Sequence, residues 1–416
     1  MVAVEITLLV FGLVIFLGFF AAAFFERTKI PDVLLLLFLG VLLGPGLNLV
    51  AASDLIPLAS TVGTLALIIV LFDSGLNLNL VKVLKEIPNA TLFTVVVFLI
   101  GAVLVGGAVS VFFGWPLLHA LLLGVIAGGT GSNVVLSIVQ KLSVNENTKV
   151  LLGLESLIND VLVLVFAFAL LQISVSSSFS LAESASDLAS AFAVALVVGV
   201  LAGLFWLGVL KRFYGKPLGY MITLGFMFVL YAGIAFLGGS GAISVLVFSL
   251  VLGNSEFITK FLKWEGDFKL ESSIFSTQKE VSFFVRTFYF VYLGLLFAPS
   301  FFTTPVIAVS LVALAGFTAA RMVGMKVLVA ADYSFKKYSL LVVGMMPRGL
   351  VSAVLAFLPA ERGIIIPYFA EIVFLLLLFT NVVATVGAFA FEIQNAGSKP
   401  SPRVIAVKPK EKGKLK

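Results

Sequence analysis

The sequence predicts an all-α polytopic membrane protein of 13 transmembrane helices, arranged as inverted six-helix repeats with discontinuous helices in segments 5 and 12. Three observations carry that expectation. Hydrophobic residues make up 61% of the 416 positions, only 12% are charged, and mean hydropathy is +1.19. Soluble domains carry about 25% charged residues. Thirteen apolar stretches approach the length of about 20 residues that a helix needs to cross hydrocarbon: 4–25, 31–50, 58–79, 88–113, 116–140, 148–174, 187–210, 216–237, 240–258, 279–298, 304–330, 337–360 and 366–392. Finally, glycine- and proline-rich interruptions fall in the fifth and twelfth stretches, as they would in equivalent positions of two halves, 1–6 and 8–13, joined by segment 7.

Charge supports the count. An odd number of crossings puts the termini on opposite sides. With the C-terminus cytoplasmic, the inner loops and helix ends collect Arg27, Lys29, Lys82, Lys85, Lys141, Lys149, Lys211, Arg212, Lys216, Lys260, Lys263, Lys269, Lys279, Lys336 and Lys337, while the outer loops hold Arg362. That is a strong positive-inside bias. It places the N-terminus outside and the C-terminus in the cytoplasm of a multi-pass plasma-membrane protein. The net charge of +6 follows the membrane and does not point to nucleic acid. The absence of cysteine excludes disulfides and thiolate sites, and a single histidine, His119, speaks against a histidine metal site or a Ser-His-Asp triad. Glu5 precedes the first apolar run where a leader would be basic, so that run is read as a spanning helix.

The stretches follow in order. The second ends in Gly44-Pro45-Gly46, which implies close packing and an irregular outer end. The third carries Asp73, about 9 Å from the inner end and too deep for a short side chain to reach water. It is either an ion ligand or part of a polar helix C-terminus. The fifth contains Gly128-Gly129-Thr130-Gly131-Ser132-Asn133 and the twelfth Met345-Met346-Pro347-Arg348-Gly349. Proline removes a donor and glycine loosens the turn, so both should break. Broken backbone at membrane depth is tolerated where it lines a cavity or is buried in protein. No Lys-Ser/Thr follows the glycines, so phosphate binding is discounted.

The sixth stretch is the centre of the chain. Glu155 and Asp160 lie in it, and a charge at the middle of a membrane helix costs about 2.5–3.5 kcal/mol at the least. Ser156, Asn159 and Asp160 share one helix face, with Glu155 about 100° away from Ser156. Oxygen and amide groups on that face suit a small hard cation and a proton. A polar seam between packed helices is the plainer alternative. Arg321, in the eleventh stretch, falls at a similar depth to Glu155, which fits either an ion pair or an arginine–backbone contact. Arg286 in the tenth could snorkel or act. Residues 259–278 read as a cytoplasmic surface helix or loop, and residues 393–416 as a basic disordered tail drawn to anionic lipid.

Residues Glu155-Ser156-Leu157-Ile158-Asn159-Asp160 resemble the signature of monovalent cation:proton antiporters of the sodium/proton exchanger (NhaP-like) branch. Leu43-Gly44-Pro45-Gly46, Asp73-Ser74-Gly75-Leu76-Asn77, Arg321 and Arg348-Gly349 follow in the matching order. The resemblance covers nearly all of residues 1–392. It implies a homodimer whose core, segments 4–6 and 11–13, moves against a scaffold of segments 1–3 and 8–10. It implies Asp160 as shared cation and proton carrier, with Ser156, Thr130 and Asp73 near it, and no cofactor. The Asn159-Asp160 pair resembles the electroneutral type. Two departures stand out. Gly131 occupies the place of the family's usual acid, and Asp73 that of a common Glu. A sodium-coupled symporter of an organic anion, using Arg286 and Arg348, is the alternative. A channel lacks a repeated filter motif here, and no covalent-bond chemistry is indicated.

Overall fold

Each of the thirteen apolar stretches contains helix. The computed structural model describes residues 2–28, 30–49, 55, 58–79, 88–175, 181–216, 218–264 and 268–395. Lys29, Lys82, Lys85, Glu265, Asp267 and the basic tail from Ala396 onward lie outside the described residues.

The principal helices are α1 (Val2–Thr28), α2 (Asp32–Val41), α3 (Ala59–Asn77), α4 (Pro88–Phe113), α5 (Leu117–Ile126), α6 (Ser132–Lys141), α7 (Glu146–Val175), α8 (Leu181–Arg212), α9 (Gly219–Phe236), α10 (Gly241–Gly253), α11 (Ser255–Phe261), α12 (Ser272–Leu295), α13 (Thr304–Ala331), α14 (Ser339–Gly344), α15 (Leu350–Leu355), α16 (Leu358–Glu361) and α17 (Phe369–Asn395). Six stretches of helix among the described residues are long and apolar enough to cross a membrane singly: Asn89–Phe113, Glu146–Ser174, Phe192–Arg212, Gly219–Phe236, Thr304–Ala331 and Phe369–Gln394. The pair α10 and α11, bent by 76°, makes a seventh if taken as one span. Four of the other stretches fall short for local reasons. Helix α2 runs into a π-helical turn, Leu42–Gly46, that contains Pro45. Lys279, Glu280 and Arg286 make α12 more polar. The fifth and twelfth stretches are broken. The segment read as a surface helix is divided between the end of α11 and the start of α12.

Two packing groups position the site. In one, α4 lies against α5, α7 and α13, and α17 lies against α13, α14 and α15. In the other, α10 packs on α3 and α8, and α12 on α2 and α3. Contacts of α3 with α15, and of α7 with α8, join them. The α2–α12 contact is close at Gly40 and Gly294, where a Cβ on Gly40 would lie 2.7 Å from the Gly294 Cα.

Candidate functional site

Two breaks meet at the centre. Helix α5 stops at Ile126 and α6 starts at Ser132; α14 stops at Gly344 and α15 starts at Leu350. The glycines account for the first break, and Pro347, which has no N–H to donate, for the second. The two non-helical segments cross at Gly131 and Gly349. A Cβ on Gly131 would sit 2.8 Å from the Gly349 Cα, so only hydrogens fit between the chains.

Backbone groups freed by the breaks are taken up locally, as burial in an apolar medium demands. The Gly131 N–H donates to the Pro347 carbonyl at 2.7 Å. The Gly128 carbonyl accepts from Arg348 Nη1 at 2.7 Å and from Asn159 Nδ2 at 3.1 Å. Arg348 is held by α17: its N–H donates to Thr380 Oγ1, and its carbonyl accepts from Asn381 Nδ2. Its guanidinium lies over the Phe317 ring, 4.2 Å from the centroid.

Helix α7 carries the polar cluster past this crossing. Its first turn is capped by Asn145, whose Oδ1 accepts the Thr148 N–H. Asp160 is 3% exposed, and its Oδ2 accepts a hydrogen bond from Ser132 Oγ at 3.0 Å. Asn159 Nδ2 donates to Thr130 Oγ1 at 2.8 Å, and Thr130 Oγ1 donates to Glu155 Oε1 at 3.3 Å. Glu155 and Arg321, 1% and 2% exposed at the side chain, form an ion pair of 3.1 Å. Arg321 also donates from Nε and Nη2 to the Val342 carbonyl, so it serves both as ion-pair partner and as backbone clamp.

Other residues singled out in the sequence sit differently. Ser156 Oγ is buried and donates to the Gly153 carbonyl of its own helix. Asp73 accepts from Asn77 Nδ2 and makes no hydrogen bond to Asp160 among the described residues. Arg286 pairs with Asp32 at 3.1 Å, and Arg348 is engaged at Gly128, so both arginines suggested for an organic anion have protein partners. Thr380, Asn381, Asp32 and Ser352, whose hydroxyl donates to the Gly129 carbonyl at 3.4 Å, have no place in the sequence reading. The first two were visible as polar residues inside the apolar stretch 366–392. The oxygens of Asp160 and Ser132, together with nearby backbone carbonyls, are the groups here that a hard monovalent cation could use.

Sequence comparison decides the family. The model for "Sodium/hydrogen exchanger, transmembrane" matches residues 12–391. The chain belongs to the sodium/hydrogen exchanger family. It is similar to Na(+)/H(+) antiporter 1 of Methanocaldococcus jannaschii, with 28% identity over 356 residues, covering 83% of this chain and 81% of the relative. It is also similar to K(+)/H(+) antiporter NhaP2 of Shewanella sp. (strain ANA-3), with 28% identity over 235 residues, 55% of this chain and 40% of that one. Among solved structures, the sodium proton antiporter MjNhaP1 from Methanocaldococcus jannaschii shares the fold, with a TM-score of 0.73, 23% identity, and coverage of 95% of this chain and 98% of the other. The matched relatives and the solved structure are named as sodium or potassium/proton antiporters, and NhaP is part of the name of two of them.

Proposed function

We propose that this exchanger carries a monovalent cation, Na+ or K+, against H+ by alternating access, with Asp160 holding either the cation or the proton in turn. The observation that carries this reading is the buried contact between Ser132 and Asp160 at the crossing of two broken helices. Broken helices at the middle of a transporter gather ion ligands from freed backbone and side-chain oxygens. Relatives named as Na+/H+ and K+/H+ antiporters support the substrate class. Ser132 is the further oxygen donor proposed in this conformation; Ser156, Thr130 and Asp73, bonded elsewhere here, are proposed to join the ion's shell as the site changes conformation, and Asn159 orients the crossing beside it.

Exchange is electroneutral in this proposal. Glu155 is neutralised by Arg321 and Asn159 adds no charge, so one proton on Asp160 stands in for one cation there. The thirteen stretches cross the plasma membrane as inverted repeats, with the N-terminus outside and the C-terminus cytoplasmic. The group containing α4–α7, α13–α15 and α17 moves against the group containing α2, α3, α10 and α12, within a homodimer. The basic tail associates with anionic lipid.

Proteoliposomes with an imposed pH gradient and a lumenal pH dye test the proposal. Sodium, potassium and lithium are added in turn, with and without a clamp on membrane potential. Dequenching by one of these ions, unaffected by the clamp, is expected. No response to any of them rejects cation:proton exchange, and a response that follows the clamp rejects electroneutrality.

A further inference from the structure

Beside the ion pair lies a small cavity of about 10 Å³, whose walls include Glu155, Asn159, Arg321, Arg348, Phe98 and Phe317. Three of those residues each carry a buried polar atom with no hydrogen-bond partner among the described residues: Glu155 Oε2, Asn159 Oδ1 and Arg348 Nε. All three are at least nine-tenths buried, at 1%, 4% and 2% exposure. Leaving such groups unsatisfied costs about 1–3 kcal/mol each, more where they are charged.

We propose that this cavity is a binding site for one water molecule that joins Glu155, Asn159 and Arg348. The volume matches one water, which needs about 10–15 Å³ on this measure and 2–4 polar partners. The polarity matches as well. Arg348 Nε–H can only donate, and the carboxylate and carboxamide oxygens can only accept. A water accepts one hydrogen bond and donates two, so it satisfies all three at once. A metal cation would face two guanidinium groups, and a monatomic anion would face the Glu155 carboxylate. The water fixes the Asn159 carboxamide, whose Nδ2 is already held by Gly128 and Thr130 and whose Oδ1 it would take up. Asp160 follows directly in the chain, so the water is part of what orients the site. The inference rests on geometry and does not depend on which ion is carried.

Two measurements on the full chain in lipid nanodiscs test it. Hydroxyl radicals generated by synchrotron radiolysis label side chains beside ordered water. Phe98 and Phe317 should be oxidised more than Phe335 and Phe369, although all four are 4% exposed; equal or weaker labelling overturns the proposal. A density map that resolves buried waters should place one peak about 2.7–3.2 Å from each of the three atoms. No peak there, in a map showing other buried waters, overturns it. So does a peak that strengthens when rubidium or bromide replaces the lighter ions.

Discussion

The hydroxyl of Ser132 stands 3.0 Å from Asp160 Oδ2, so the first residue of α6 touches the carboxylate that α7 brings to the crossing. In the family pattern the acid at this crossover falls one residue earlier, where this chain has Gly131. A neutral hydroxyl thus stands beside Asp160.

Replacing Asp160 with Asn is expected to abolish exchange and leave the fold intact. The amide keeps an acceptor for the Ser132 hydroxyl but can neither lose a proton nor neutralise a cation. Proteoliposome transport, read beside thermal unfolding of the same preparation, checks this. Exchange surviving in that variant would remove Asp160 from the mechanism.

The variant Ser132→Ala should weaken cation binding while the maximal rate holds. The cation loses one of its oxygen ligands, so the half-saturating cation concentration should rise. Ser132→Thr, which keeps the hydroxyl, should recover most of it. An unchanged KM in the alanine variant counts against a liganding hydroxyl.

Breaking the Glu155–Arg321 pair from either side should be costly. Removing one partner of a buried pair costs about 3–5 kcal/mol, because the other charge is left uncompensated. Glu155→Gln and Arg321→Met should each lower the unfolding temperature, and the double variant should lose less than the two singles combined. Additive losses would mean that the two residues act separately, with the Val342 carbonyl as the principal partner of Arg321.

Any side chain at Gly131 should be rejected. An added Cβ meets the Gly349 Cα at 2.8 Å, so Gly131→Ala must push the two crossing segments apart. Overpacking of this kind costs about 1–3 kcal/mol. Gly131→Asp, which places an acid where the family commonly has one, should lose stability and transport together. Wild-type melting and transport in both variants would show that the crossing can widen freely.

Much of this was legible in the residues. Glu155, Asp160 and Arg321 announce themselves because charge inside an apolar stretch needs a reason, and Gly128-Gly129 and Pro347 mark the breaks because their backbone chemistry is local. Partnerships across the fold were harder to read. Ser132 looked like part of a broken helix, and nothing in its neighbours says that its hydroxyl meets a carboxylate 28 residues later. Ser156 shares a face with Asp160 by helix geometry, yet its hydroxyl finds the nearer Gly153 carbonyl, since a serine inside a helix can always bond back to its own turn. Asp32 stands where a carboxylate ordinarily favours a helix N-terminus, which hid its pairing with Arg286, 254 residues away.

The reach of Arg321 bears on how the chain is made. Its contact with Glu155 spans 166 residues, and that of Arg348 with Gly128 spans 220. During synthesis α7 emerges from the ribosome well before either arginine exists. Until they arrive, Glu155 has no counter-charge in the membrane and the Gly128 carbonyl lacks its guanidinium cap. The polar centre as seen here therefore cannot be complete until the second half of the chain has been made. Force profiles recorded on stalled nascent chains should register that closure as a pull when residues 321–348 enter the membrane.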